Sequence, residues 1–212
     1  MSEPGKIDEL IDASRALYDR KLIHAAGGNT SVRDGEIVRI TKTGAELGKL
    51  TRDKIVTVDL QGNVLEGSAP SKEIDMHLAM YRARESAQAV VHVHPTYSIA
   101  YSTLISEEST DAVPPYTAAF YVRAGRVPMI RYYPSGAHSL HVAVEALAPD
   151  YHAILLRQHG IIVAGDDMSA AIGVVEEVEQ CCQISVATGL KGARLTEEQC
   201  QAIDEALGRS WK

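Results

Sequence analysis

Short runs of β-branched residues alternate with stretches of helical spacing along this chain, and no Pro/Gly/Ser-rich linker, charge block or repeat interrupts them. This alternation constrains the fold most, because short strands must pair with one another and each helix carries an apolar stripe that has to be covered. Ile7, Leu10, Ile11, Leu17, Tyr18 and Leu22 recur every three or four positions and predict an opening amphipathic helix, followed by a polar loop of small residues. Glu36 to Thr41 and Ile55 to Leu60 read as strands, and Gln61-Gly62-Asn63 supplies the turn that folds the second run back as a hairpin. Glu73 to Arg84 reads as a helix after Ser71, a residue suited to an N-cap. Ala89 to His94 is a short apolar strand ended by Pro95; Tyr97 to Leu104 reads as a helix, and Val113-Pro114-Pro115 opens a loop that cannot pair as a central strand. Further strands are expected over Val127 to Tyr132, Ala153 to Arg157 and Ile161 to Ala164, with helices over His138 to Leu147 and Met168 to Thr188.

Helices flanking several hairpin-connected strands imply a three-layer α/β/α sandwich with a largely antiparallel central sheet. The 212 residues suffice for one sizeable core, so one domain spanning residues 1–212 is expected. A net charge of -7 argues against a nucleic-acid surface, which needs clustered Lys and Arg, but leaves room for a small anion held by local donors. Met1 to Glu9 lack the profile of a signal peptide and no apolar run reaches membrane-spanning length, so a cytoplasmic protein without a membrane partner is expected. Cys181, Cys182 and Cys200 offer neither a disulfide framework nor a CxxC site and read as inert core thiols.

In His92-Val93-His94 the period of two places both imidazoles on one face of a strand, where they can reach one ion. His159 stands at a strand end before Gly160, free to point into a cleft. Three neutral nitrogens with an open fourth position describe a catalytic zinc site. Strand histidines satisfied by backbone partners are the plainer alternative. Glu73 is either a proton-transfer group beside that metal or a carboxylate that complements a helix dipole. Gly27-Gly28-Asn29-Thr30-Ser31, Thr41-Lys42-Thr43-Gly44 and Ser71-Lys72 can present backbone N–H groups, hydroxyls and an ammonium to an oxyanion, although each alone is more often a turn. Lys72 at a helix start opposes the dipole, a conflict that a bound anion relieves.

Taken in order, Gly27-Gly28-Asn29-Thr30-Ser31, Thr43-Gly44, Ser71-Lys72-Glu73, His92-Val93-His94-Pro95 and Gln158-His159-Gly160 resemble the class II aldolase/adducin family, from about the first helix to the long helix ending near Thr188. The resemblance implies the family's α/β/α sandwich, a zinc ion on His92, His94 and His159, and Glu73 as catalytic acid/base. It implies a phosphorylated sugar or sugar-acid substrate with its phosphate against Asn29, Thr43, Gly44 and Ser71, to which the same segments add Gly28 and Lys72 as substrate-binding candidates, and a homotetramer with sites at subunit interfaces. The motif spacing resembles the L-fuculose-phosphate aldolase branch, which makes retro-aldol cleavage the slightly favoured reaction. Ser71-Lys72-Glu73, Ala45-Glu46-Leu47-Gly48 and Val113-Pro114-Pro115-Tyr116-Thr117 look more like the 3-oxo-tetronate 4-phosphate decarboxylase branch.

In both branches a zinc-chelated substrate releases its bonding electron pair as an enediolate. Aldolases of this type also use a tyrosine from the loop after the HxH strand, for which Tyr116 and Tyr121 are the candidates, and another near the C-terminus, whereas Lys191 to Lys212 contains none. The epimerase branch has aspartate in place of Glu73. Retention of all three histidines and Glu73 speaks against a non-catalytic adducin-like module, and a zinc hydrolase would leave the phosphate segments without a purpose.

Overall fold

The computed structural model describes residues 5–106 and 108–209, so the start of the segment read for a signal peptide and the last three residues of the tyrosine-free tail lie outside it. Eight strands form one sheet: β1 (Asn29–Asp34), β2 (Ile37–Thr41), β3 (Ile55–Asp59), β4 (Val64–Glu66), β5 (Ala89–Val93), β6 (Met129–Ile130), β7 (Ala153–Leu156) and β8 (Gly160–Gly165). Their order is β4-β3-β2-β1-β5-β8-β7-β6. Every pairing is antiparallel except β6 with β7, as the sequence led us to expect.

The helices are α1 (Lys6–Asp19), α2 (Ile74–Ala83), α3 (Thr96–Leu104), α4 (Ala118–Ala124), α5 (His138–Leu147), α6 (Met168–Ala187) and α7 (Glu197–Leu207). They divide between the sheet faces by the alternation of the strands. Val91 and Val93 pack with Leu10, Tyr101, Phe120, Val175 and Cys200 from α1, α3, α4, α6 and α7. Val90 points the other way, into a core with Met76, Met80 and Tyr81 of α2 and Leu140 and Val144 of α5. The result is three layers, helix, sheet and helix.

Several boundaries differ from the sequence reading for physical reasons. The expected loop before the second strand is in fact β1, with Asn29, Thr30 and Ser31 all buried. Its polar residues survive burial because they have partners from other elements: Thr30 Oγ1 lies 2.6 Å from Ser14 Oγ of α1. Ser71 does not cap α2; Glu73 is the residue before its first turn, and Ser71 Oγ instead accepts the Glu73 N–H at 3.2 Å. The strand expected over Val127 to Tyr132 shrinks to two residues at the sheet edge. α4 and α7 were not foreseen, yet both start at a threonine cap: Thr117 Oγ1 accepts from Phe120 N, and Thr196 with Gln199 forms a reciprocal capping box. The hairpin at Gln61-Gly62-Asn63 is present, with Gly62 at φ +86° and the Asp59 carboxylate accepting from Gln61 and Asn63 N–H groups.

α3 anchors both ends of what becomes the site. Glu179 of α6 accepts from Tyr97 N (2.8 Å), Ser98 N (2.7 Å) and Ser98 Oγ (2.8 Å), fixing the start of α3 just after His94-Pro95. Near its other end Ser102 Oγ accepts the Gln158 N–H at 2.9 Å, bracing the turn that carries His159. Glu179→Ala strands three donors at once. It is expected to lower unfolding free energy by about 1–3 kcal/mol, read from urea titration; an unchanged midpoint would show that water replaces the carboxylate there.

Candidate active site

The sheet register assembles the site. Asn29 of β1 sits opposite His92 of β5, and His92 sits opposite Ile162 of β8. Continuing the β5–β8 pairing past Val93↔Ile161 brings the end of β5, where His94 lies, against the β7–β8 turn that carries His159. That turn is tight: Gln158 has φ +54°, unusual for a residue with a side chain, and a Cβ on Gly160 would collide with the Val93 carbonyl. A Cβ on Gly27 would stand 2.8 Å from His94 Nδ1, and Gly28 has φ +71° against the His92 carbonyl. The glycines let backbone close on the histidines from both sides.

The three imidazoles converge. The ligating atoms of His92, His94 and His159 all lie within 4.8 Å of one another. His92 Nδ1 donates to the Ile161 carbonyl at 3.0 Å, which leaves Nε2 with its lone pair facing inward, 3.0 Å from His94 Nε2. His159 Nε2 is buried and lacks a partner of hydrogen-bond geometry. Burial, reinforced by His92 and His159, lowers the His94 pKa to about 3, so it remains a neutral ligand at physiological pH. Inward lone pairs and one orphaned nitrogen beside a carboxylate fit a divalent cation.

That carboxylate is Glu73, 6% exposed, with Oε2 3.2 Å from His92 Nε2 and Oε1 3.3 Å from His159 Nε2. Burial alone pushes its pKa up. The His159 and His92 imidazoles, where they carry a proton toward it, and the Ser135 hydroxyl outweigh burial and hold it below the ordinary glutamate range. Asn29 Nδ2 donates to Oε2 at 2.9 Å, and Ser135 Oγ donates to Oε1 at 2.7 Å. His77 completes the support, donating from Nε2 to Asn29 Oδ1 at 2.6 Å. Neither His77 nor Ser135 was singled out from sequence. His77 lies four residues after Glu73, one helical turn on, and that spacing was the available signal; nothing local marks Ser135.

The anion-binding candidates fall into two groups. Lys42 bridges Pro70, Ser71 N donates to Thr41 O at 3.1 Å and Thr43 N to Ala69 O at 3.3 Å, so the Thr43-Gly44 and Ser71-Lys72 segments run side by side. Gly44 is exposed with φ +72°, at the third position of a turn closed by Ala45 N to Lys42 O. Ser71 Oγ accepts from Glu73 N and keeps its own proton to donate, and the Lys72 side chain is exposed. Asn29 is committed to Glu73 and His77, with one amide hydrogen left over.

The loop tyrosines lie elsewhere. Tyr121 is buried in the core of α4, and its hydroxyl donates to Asp204 of α7 at 2.8 Å; burial, then that bond, raises its pKa to about 12. Tyr116 packs against Gly192, beyond the end of α6.

Residues 8–186 match the family model of the class II aldolase and adducin N-terminal domain. A 3-oxo-tetronate 4-phosphate decarboxylase of Haemophilus influenzae is 34% identical over 96% of this chain and 98% of its own length. An L-fuculose phosphate aldolase of Methanococcus maripaludis is 37% identical over 84% of this chain and 95% of its own. Among solved structures, YgbL of Klebsiella pneumoniae superposes with a TM-score of 0.90 at 31% identity, covering 96% of this chain and 99% of that one. The histidine cluster, the sheet order around it and these likenesses agree: the chain belongs to the class II aldolase and adducin family.

Proposed function

We propose that the protein is a metal-dependent lyase that breaks a carbon–carbon bond in a small phosphorylated sugar or sugar acid. One observation carries the reading: the buried Glu73 carboxyl stands 3.2 and 3.3 Å from two of three imidazoles whose ligating atoms converge within 4.8 Å. His92, His94 and His159 would hold the ion, and three neutral nitrogens favour zinc. When bound, such an ion supplies Lewis-acid stabilisation of the negative charge released as the bond breaks.

The chain's own groups do the remainder. Thr43, Gly44, Ser71 and Lys72 bind the phosphate, with Gly28 and the spare Asn29 hydrogen at the edge nearest the histidines. Anchoring one end of the substrate places its reacting carbons beside Glu73, which moves the proton at carbon. Asn29 and Ser135 keep that carboxylate aimed.

Of the two reactions we favour decarboxylation of a 3-oxo acid phosphate. Carbon dioxide leaves without needing a proton, so a Glu73-type group suffices. Retro-aldol cleavage also needs a base for the proton of the hydroxyl that becomes the aldehyde oxygen; of the two loop tyrosines, Tyr121 gives its hydroxyl proton to Asp204 and Tyr116 lies against Gly192. Retro-aldol cleavage is the second reading, supported by the likeness to an L-fuculose phosphate aldolase.

Purified protein is expected to carry about one zinc per subunit, by elemental analysis, and to lose both metal and turnover on chelation; full zinc content and activity in His94→Ala would refute the ligand set. Glu73→Gln keeps shape but removes the exchangeable proton, so turnover should fall by about 10² to 10⁴ with zinc retained. Carbon dioxide from 3-oxo-tetronate 4-phosphate and aldehyde from L-fuculose 1-phosphate, assayed side by side, separate the two reactions: aldehyde alone would overturn the preference for decarboxylation. Ser71→Ala should weaken phosphorylated substrates by about 0.5 to 3 kcal/mol; an equal loss with unphosphorylated analogues would argue against the phosphate assignment.

A further inference from the structure

Tyr81, Ser31, His77, Asn29 and Glu73 run in single file between α2 and β1. Tyr81 Oη lies 2.8 Å from Ser31 Oγ, Ser31 Oγ lies 2.7 Å from His77 Nδ1, His77 Nε2 lies 2.6 Å from Asn29 Oδ1, and Asn29 Nδ2 lies 2.9 Å from Glu73 Oε2. Tyr81, Ser31 and His77 are 1%, 0% and 0% exposed, so water does not complete their bonding.

The direction of every bond follows from one end. Asn29 Nδ2 donates to Glu73 Oε2 and Asn29 Oδ1 faces His77, so the amide turns its NH₂ toward Glu73 and its carbonyl toward His77. His77 must then donate from Nε2, which makes Nδ1 an acceptor. Ser31 has to spend its single proton on Nδ1, and Tyr81 has to donate to Ser31. That pattern in turn holds the amide in place. With Nδ1 occupied by the Ser31 hydroxyl, His77 has only the Nε2–H tautomer, and a rotated Asn29 would set its NH₂ against an N–H while aiming its carbonyl at a carboxylate. Burial first, then the neighbouring His92, lowers the His77 pKa to about 3, so a second proton does not disturb this pattern in the neutral range.

We propose that His77 is a positioning residue that acts on catalysis through Asn29, fixing the amide orientation that aims the Glu73 carboxylate. The proposal rests on Glu73 being the proton-transfer group. It gives the two carboxylate oxygens different anchors. Oε2 is held from the interior by a chain with no solvent contact before Asn29, and Oε1 is held by Ser135, exposed on the loop between β6 and α5.

The bulk of a histidine alone would serve packing, so the test compares shape with bonding. Turnover is measured with 3-oxo-tetronate 4-phosphate and with L-fuculose 1-phosphate in His77→Leu, His77→Gln and each combined with Glu73→Gln. His77→Leu should lower kcat by about 10- to 100-fold with KM and zinc content little changed. His77→Gln, whose side-chain N–H can still reach Asn29 Oδ1, should recover most of that loss. In the Glu73→Gln background His77→Leu should cost nothing further, because the group it positions is already disabled. Equal fold-losses in both backgrounds would overturn the positioning role while leaving Glu73 as the proton-transfer group. Full turnover by Glu73→Gln would instead overturn the Glu73 reading and this proposal with it. If His77→Leu does not fold, or neither substrate turns over, imidazole ¹⁵N NMR of the wild-type protein decides: a proton on Nε2 at neutral pH supports the chain, and a proton on Nδ1 overturns it.

Discussion

A buried carboxyl group, Glu73, is the constraint on which the rest of this structure depends. An unpaired charge below the surface would cost several kcal/mol, and Glu73 escapes that cost because donors reach it from elements far apart in sequence. Asn29 comes from the start of β1 and Ser135 from the loop between β6 and α5, while His92 and His159 contact it from β5 and the β7–β8 turn. No local segment could supply this set. Satisfying Glu73 requires β1, β5 and β8 to be neighbours in register, and the sheet order β1-β5-β8 at its centre provides that adjacency.

Close approach is the second requirement, and it explains why small residues and an unusual backbone conformation gather around the imidazoles. Side chains on Gly27, Gly28 and Gly160 would strike His94, the His92 carbonyl and the Val93 carbonyl respectively. Gln158 adopts a left-handed conformation that costs of order 1 kcal/mol or more for a residue with a Cβ, and Ser102 holds its N–H in place. The braces come from α3, itself fixed by Glu179 on α6. Strain at the turn is thus held by the helical layer on the opposite side of the sheet from α2.

Sequence made some parts of this arrangement legible because their signals are local. The HxH strand reads from a period of two, α6 from a long run of helical spacing, and the β3–β4 hairpin from Gln61-Gly62-Asn63. β1 was hidden because Thr30 and Ser31 look like loop residues until their buried partners, Ser14, His77 and Tyr81, are known. The capping box of α7 was readable in Thr196 and Gln199 but stood before a weakly apolar stretch. The convergence of His159 with His92 and His94 needed the register of β5 with β8. His77 resembles any apolar-face residue of an amphipathic helix, and only its partners in three dimensions give it chemical meaning.

Overall likeness does not rank the two reactions, since relatives named for decarboxylation and for aldol cleavage stand at 34% and 37% identity. Chemistry divides the problem differently. On the proposed reading, both reactions would leave negative charge on the fragment held near His92, His94 and His159, so these histidines and Glu73 could serve either, and selection would fall to the groups that meet the departing fragment. A carboxylate releases carbon dioxide with no proton transfer at the departing group, while a hydroxyl that becomes an aldehyde must give its proton to a base.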